Sequence, residues 1–366
     1  MKIGIDATAL VANRTGIGNY IAPILAAMQR LNPTAQFLLY SNDVIAFPQD
    51  RRTIHRVANS KRRPPHWQNT QLPSMLRADQ PDVFWGTNGL LPLVTPRSTA
   101  TVVTIHDLVY RYAPQTQPWL TRWSRRLLQP WSARHADRLV TVSQATASDV
   151  ERVYQRSPDA VVPPLPAIHA LHSEAQGTGL DLPPRYLLSL GTLEPRKNIA
   201  TLVQAYLDLC EKGVRLPVLV VAGKPGWRHD QTESLLARGE RQGRIQRLGY
   251  AASAELRRLY AGCEAFLMPS LYEGYGMPLL EAQLCGAPVI HGPHDAMREA
   301  ADGLGVICGT DYHALCATLE ALAEGRLALT CRLPRTHQWT PETAAQRMLG
   351  ELETACQGRR RTGATP

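Results

Sequence analysis

Two successive series of short apolar runs, each run followed by a helical pattern, fill most of this chain, and a break in composition separates them. The first series holds "KIGIDATAL", "QFLLYS", "DVFWGT", "TATVVTIHDL" and "DRLVTVS"; a helix is expected over Ile21–Leu31 and another over "QATASDVERVY". The second begins at "RYLLSLGTLEPRKN" and continues through "PVLVVAGKPGW", "RIQRLGYAAS", "AFLMPSLYEG", "APVIHGP" and "LGVICGT". Strands that alternate with helices form parallel βαβ units. Runs such as "VVTI" suit strands covered on both faces. Between the series, residues 157–184 are rich in Pro, Gly and small polar residues and read as a connection that can act as a hinge, with room for one short strand. A chain of 366 residues is long enough for two such domains. The expected division is 1–165 and 185–335, then a C-terminal helix within 336–356 that returns to the first domain, and a disordered tail over 357–366. Thr340 and Pro341 supply the cap and first turn of that helix.

Charge narrows the partners. Of the formal +9, residues 1–157 carry 19 Lys/Arg against 9 Asp/Glu, whereas residues 158–366 carry 21 against 22. A positive first half suits an anionic membrane surface, a phosphorylated acceptor or nucleic acid. No nucleic-acid module accompanies the charge, so nucleic acid is not an expected partner. No apolar run is long enough to span a bilayer, and the N-terminal stretch lacks the pattern of a secretory signal. The seven cysteines form neither a CxxC pair nor a Cys/His metal spacing, as in a chain with reduced thiols. A cytoplasmic protein, at most peripheral on a membrane, is the expectation.

Four corners carry candidate chemistry. In "PSLYEGYGMPLLEAQLCGAPVI", Glu273 and Glu281 flank a glycine-rich turn that opens into a helix. Gly274 and Gly276 permit close backbone approach and positive φ. The following helix start offers free N–H groups at the carboxyl end of a strand. Two carboxylates there can accept from paired ring hydroxyls, although Glu281 also suits a solvated first-turn acid. In "GTLEPRKN", Arg196 and Lys197 stand at another strand-to-helix corner, as a bidentate fork and a point charge fit for a diphosphate, or as a solvated basic pair. In "RTGIGNY", Gly16 and Gly18 suit a phosphate-approach loop or a plain turn; the pattern completes neither G-x-G-x-x-G nor a Walker loop. In "TIHDL", His106 and Asp107 end a buried strand, where they serve a ligand or merely satisfy local backbone groups.

These segments, with "LVVAGKPGW", "RLGYAASAELRRLYAGCEAFLMPS" and the N-terminal "IGIDATAL…TGIGNY", stand in an order and separation that resemble the family 4 glycosyltransferases, retaining enzymes with an E-x7-E signature. The resemblance covers most of the chain and is strongest over 186–310. It implies a GT-B fold: α/β, two Rossmann-like doubly wound domains facing a central cleft. It implies that Glu281 binds the ribose hydroxyls and Glu273 the transferred sugar. The amides of Tyr275, Gly276 and Met277 would hold that sugar and its phosphate, and Gly191 would be among the residues that bind the nucleotide sugar. Arg196 and Lys197 would neutralise the leaving diphosphate, Gly16 and Gly18 would close over it, and His106 would contact the donor sugar. Glu299 matches a family acid, but Met297 and Arg298 replace its usual neighbours. The donor implied is a nucleoside diphosphate sugar, with GDP-mannose favoured, and the acceptor a saccharide or a lipid-linked one in cell-surface polysaccharide synthesis. No cofactor and no metal are implied, since no D-x-D triplet occurs. A nucleotide-sugar epimerase, a non-catalytic nucleotide-sugar-binding protein and a basic nucleic-acid-binding protein are the rival readings. A nicotinamide dehydrogenase fits least, because the glycine pattern is incomplete.

One segment is left open. In residues 114–138, Trp119, Leu120, Trp123, Leu127, Leu128 and Trp131 fall at helical spacing, with Arg122, Arg125 and Arg126 on the other face. Such a helix either packs its apolar face on a core or lies on an anionic bilayer. The basic loop "SKRRPPHW" at 60–67 lies on the same half.

Overall fold

The computed structural model describes residues 1–362 apart from 13, 15, 59–63, 167–179, 227–229, 252 and 331–338. Residues 167–179 of the 157–184 connection, part of the basic loop at 60–67 and Trp227 of "AGKPGW" therefore lie outside the described residues.

The chain divides into two compact units, Met1–Leu165 with Trp339–Pro366, and Pro166–Gln338. In the first, the strands are β1 (Lys2–Asp6), β2 (Gln36–Ser41), β3 (Thr53–Val57), β4 (Val83–Gly86), β5 (Ala100–Ile105), β6 (Arg138–Thr141) and β7 (Ala160–Val161). Among the described residues they form one parallel sheet in the order β3-β2-β1-β4-β5-β6-β7. Every residue of β5 is buried, as a strand covered on both faces requires. The helices are α1 (Gly16–Leu31), α2 (Pro64–Thr70), α3 (Leu72–Asp79), α4 (Val109–Tyr112), α5 (Trp119–His135) and α6 (Gln144–Tyr154).

The second unit repeats the design. Strands β8 (Tyr186–Leu190), β9 (Val218–Ala222), β10 (Ile245–Gly249), β11 (Ala265–Met268), β12 (Val289–His291) and β13 (Val306–Ile307) run parallel in the order β10-β9-β8-β11-β12-β13. Helices α7 (Ile199–Glu211), α8 (Asp230–Arg241), α9 (Ser253–Gly262), α10 (Met277–Leu284), α11 (Asp295–Ala300) and α12 (Tyr312–Ala323) connect them. Leu202, Val203 and Tyr206 of α7 pack with Leu219 and Val221 of β9 and Leu315 and Leu319 of α12 in one core. In both sheets the strand order reverses beside the first strand, between β1 and β4 and between β8 and β11. Ligands of such sheets bind at the carboxyl ends of the strands that flank this reversal.

The last helix, α13 (Pro341–Thr362), belongs to the first unit and packs on α1 and β5. Ala344, Ala345, Met348 and Leu352 form its buried face, and Arg138 of β6 pairs with Glu351 at 2.7 Å. The helix extends six residues beyond Cys356, across the start of the segment expected to be a disordered tail.

Helix α1 begins at Gly16, five residues earlier than the apolar periodicity suggests, so Gly16 and Gly18 lie in its first turn rather than in a loop. They are not equivalent. A Cβ on Gly18 would stand 2.3 Å from the Ala9 carbonyl, whereas one on Gly16 meets nothing within 4 Å. Gly18→Ala is expected to destabilise the chain by about 1–3 kcal/mol, the usual penalty of overpacking. Gly16→Ala should be neutral or stabilising by up to about 1 kcal/mol through the unfolded chain. Urea titrations of both variants check this contrast, and equal midpoints would refute it.

Candidate active site

The second unit brings Arg196, Lys197 and Glu273 together beside its strand reversal. Residues 191–198 leave β8 and residues 269–276 leave β11, the neighbouring strand. The first corner is tight for a backbone reason. Gly191 has φ +148°, and Gly223, after β9, comes so close that a Cβ there would lie 1.8 Å from the Gly191 carbonyl oxygen. The stem of Lys197 runs over Gly191, where a side chain would meet its Cε at 3.3 Å. Pro195–Lys197 form a short 3-10 turn, and Asn198, at φ +58°, ends it by donating to the Thr310 carbonyl at 2.7 Å.

The two corners are tied by main chain and by charge. The Leu271 amide donates to the Arg196 carbonyl at 2.9 Å, and the Arg196 guanidinium donates to the Tyr272 carbonyl at 2.9 Å. Glu273 is 7% exposed; Arg196 Nη1 stands 2.5 Å from its Oε2 and Lys197 Nζ 2.7 Å from its Oε1. Glu194 takes the other edge of the guanidinium at 2.6 Å. Burial alone would raise the Glu273 pKa, but the charges of Arg196 and Lys197 outweigh it and hold the carboxyl down to about 2. Glu273 is therefore ionised at neutral pH and holds two cations in one place. A carboxylate offers about four lone-pair sites, so both pairings leave acceptor capacity.

Glu281 lies on α10, beyond the first turn, and is half-buried. The hydroxyl of Tyr260, a fully buried residue of α9, donates to its Oε2 at 3.3 Å. Burial first, then the Glu281 charge, keep that phenol protonated and so able to donate. Gly276 caps α10 with φ +115°, and Met277 begins the helix, so the amides of Tyr275, Gly276 and Met277 lie at its start. The Tyr275 side chain is buried, and its phenol pKa is raised by burial and then by the charges of Glu299 and Asp302.

The first unit has its own cluster at the carboxyl ends of β1, β4 and β5. His106 Nε2 donates to the Thr87 carbonyl at 2.6 Å, and the Thr87 hydroxyl donates to the Asp6 carbonyl at 2.6 Å. The buried Asp6 carboxylate accepts from the Thr8 hydroxyl at 2.6 Å and from Gln68 at 2.8 Å. Tyr20 of α1 sets its ring at right angles to that of His106, with centroids 5.0 Å apart. Burial pushes the His106 pKa down to about 4, against the raising pull of the Thr87 carbonyl and Asp107. The ring is neutral at pH 7, and with Nε2 protonated its Nδ1 is an acceptor. Asp107 accepts from the Val109 amide at 3.1 Å, so both strand-end residues do satisfy local backbone groups.

Several participants escaped the sequence reading. Asp6 and Gln68 meet across 62 positions, which no local pattern reveals. Tyr260 carries only the spacing of a core residue. Lys224, whose Nζ sits 4.1 Å from the ring centroid of the 56%-exposed Tyr250, follows β9, whereas Tyr250 follows β10.

Sequence comparison agrees with this architecture. Residues 15–164 match the model of Glycosyltransferase Family 4, and residues 173–327 match that of Glycosyl transferases group 1. The chain belongs to the family 4 glycosyltransferases. Within that class it is similar to O-antigen chain mannosyltransferase B of Escherichia coli, at 32% identity over 243 residues, covering 62% of this chain and 60% of that protein. It is also similar to the serotype-specific mannosyltransferase WbdA of Escherichia coli, at 34% identity over 169 residues, covering 42% of this chain and 20% of WbdA. The match thus spans less than two thirds of either relative's length. Its fold is that of WaaG, a glycosyltransferase involved in lipopolysaccharide biosynthesis, with a TM-score of 0.67, 18% identity, and coverage of 97% of this chain and 98% of that one.

Proposed function

We propose that this chain transfers mannose from a nucleoside diphosphate sugar, GDP-mannose, to a saccharide or lipid-linked acceptor, with retention of anomeric configuration. The observation that carries this reading is the pair of cations gathered on Glu273 beside the strand reversal of the second unit. As the bond from the anomeric carbon to the diphosphate oxygen breaks, negative charge grows on the leaving phosphate. Arg196, Lys197 and the first amides of α10 are the groups that meet it, and fixed donors of this kind need little reorganisation during the reaction. Glu281, oriented by Tyr260, accepts from the ribose hydroxyls. The exposed Tyr250 ring offers a face to the base. Contacts of Glu273 with the transferred sugar, and of His106, Gly16 and Gly18 with the donor, belong to the same proposal. The choice of mannose draws on the two Escherichia coli mannosyltransferases.

A thermal-shift series with GDP, UDP, TDP, ADP and their sugars tests the reading, since a ligand of the native state raises its melting temperature. GDP and GDP-mannose are expected to raise it most. Glu281→Gln, which keeps an acceptor for the buried Tyr260 hydroxyl, should weaken that shift while the melting temperature without nucleotide stays near that of the parent. A shift with UDP-sugars alone would replace the base and sugar named here. No shift with any nucleotide would overturn the function.

A further inference from the structure

Helix α5 leaves the apolar residues of its first turns in water, whereas Leu128 and Trp131 further along it are half-buried. Trp119, Trp123 and Leu127 follow one another at four-residue intervals with Leu120 beside them, and they are 68%, 53%, 66% and 48% exposed. The fully buried residues of the helix are Gln129, Ser132 and Ala133. Arg125 turns inward to donate to the Asn88 carbonyl. A helix that rests on its own core does the reverse, so the apolar stripe is not core packing. Single exposed apolar residues are ordinary, but two tryptophans and two leucines within nine positions form a patch that calls for a partner.

We infer that this stripe docks on an anionic bilayer surface, with the indole rings at headgroup depth. Charge and composition single out that occupant. No Asp or Glu occurs anywhere in α5, and the exposed Arg126 stands 5.5 Å from the centroid of the Trp123 ring. Tryptophan flanked by arginine suits the boundary between headgroups and acyl chains, where the ring is half wet and the guanidinium meets phosphate. The excess of ten positive charges over residues 1–157 adds long-range attraction to an anionic leaflet. Among the described residues no helix is long and apolar enough to cross a membrane, so the contact is peripheral. A second copy of the chain is a poorer occupant, because a two-fold contact would set Arg126 and its neighbours against their own copies. The inference deepens the proposed function by placing this unit at a lipid-borne acceptor, but the stripe does not depend on which sugar is transferred.

Flotation of the full chain with vesicles tests it. Wild-type chain should float with phosphatidylglycerol–phosphatidylcholine vesicles and not with phosphatidylcholine alone, and less so as salt rises. The double variant Trp123→Ser, Leu127→Ser should partition at least about tenfold less, because it removes two of the inserted side chains. Its melting temperature and its nucleotide-induced shift should match the parent, which separates a failed docking surface from a failed fold or a failed donor site. No flotation with anionic vesicles, or equal flotation of the variant, overturns the inference. So does concentration-dependent dimerisation that the variant abolishes, seen by sedimentation velocity.

Discussion

Lys197→Ala is expected to slow sugar transfer by about 10²–10³-fold, the usual loss when one fixed donor to a developing anion is removed. The ammonium is held at 2.7 Å by Glu273 and its stem lies along Gly191, so in the proposed reaction it would be in place before the phosphate begins to leave. Its effect falls on kcat rather than on donor affinity, because the charge it meets is larger in the transition state than in the bound donor. Steady-state kinetics at saturating donor, set beside a nucleotide titration followed by calorimetry, distinguish the two. A variant that loses affinity in proportion to rate would make Lys197 a ground-state binder. A variant with unchanged kcat would remove it from the reaction. Arginine at this position should not restore the rate fully, since a planar fork does not replace a point charge on the same stem.

The second large effect is on stability. Glu273→Ala leaves two cations facing each other at a largely buried position, and breaking a buried pair in this way costs about 3–5 kcal/mol. For a unit of this size that corresponds to a fall of roughly 10 °C in the melting midpoint. Calorimetry of the parent and the variant gives the comparison. The same carboxyl sets an acid limit. Its folded pKa, about 2, lies below its ordinary 4.5, so its stabilisation is complete above pH 4.5 and disappears as pH falls from there towards 2. His106 acts earlier. Its folded pKa, about 4, lies below 6.5, so the unfolded chain takes up a proton first and stability declines between pH 6.5 and 4. Glu273→Gln should flatten the lower window and leave the upper one. His106→Asn should flatten the upper one alone, and identical pH profiles for all three proteins would refute both assignments.

Much of this was legible because the chemistry sits at ends of elements that announce themselves. The run "YLLSL" followed by "GTLEPRKN" can hardly be other than a buried strand turning into a helix, and the same holds for "AFLMPS" before Glu273. Parallel strands bring such ends to one edge of the sheet, so Arg196 and Glu273 could be expected as neighbours across 77 positions. What could not be read was who holds whom. Nothing in the sequence says that Glu273 takes both cations, that Tyr260 reaches Glu281, or that Gln68 meets Asp6; those pairings depend on how helices lie on the sheet. β3, whose "TIHRV" alternates weakly, and α2 with α3, which interrupt the alternation, were missed for want of a clean period. α5 shows the opposite lesson. Its periodicity was plain, but a period fixes only that a helix has two faces, and the structure decided which one meets water.

The return of α13 to the first unit has a consequence for the order in which the molecule is made. Met1 and Cys356 bring their sulfur atoms within 3.9 Å, and α13 lies against α1 and β5, segments that leave the ribosome long before it. The second unit can reach its full set of internal contacts once residue 338 has emerged, whereas the first must wait, with the sheet surface around β5 uncovered, until the final helix arrives. Of the two units, the one that starts to emerge first is thus the one that closes last.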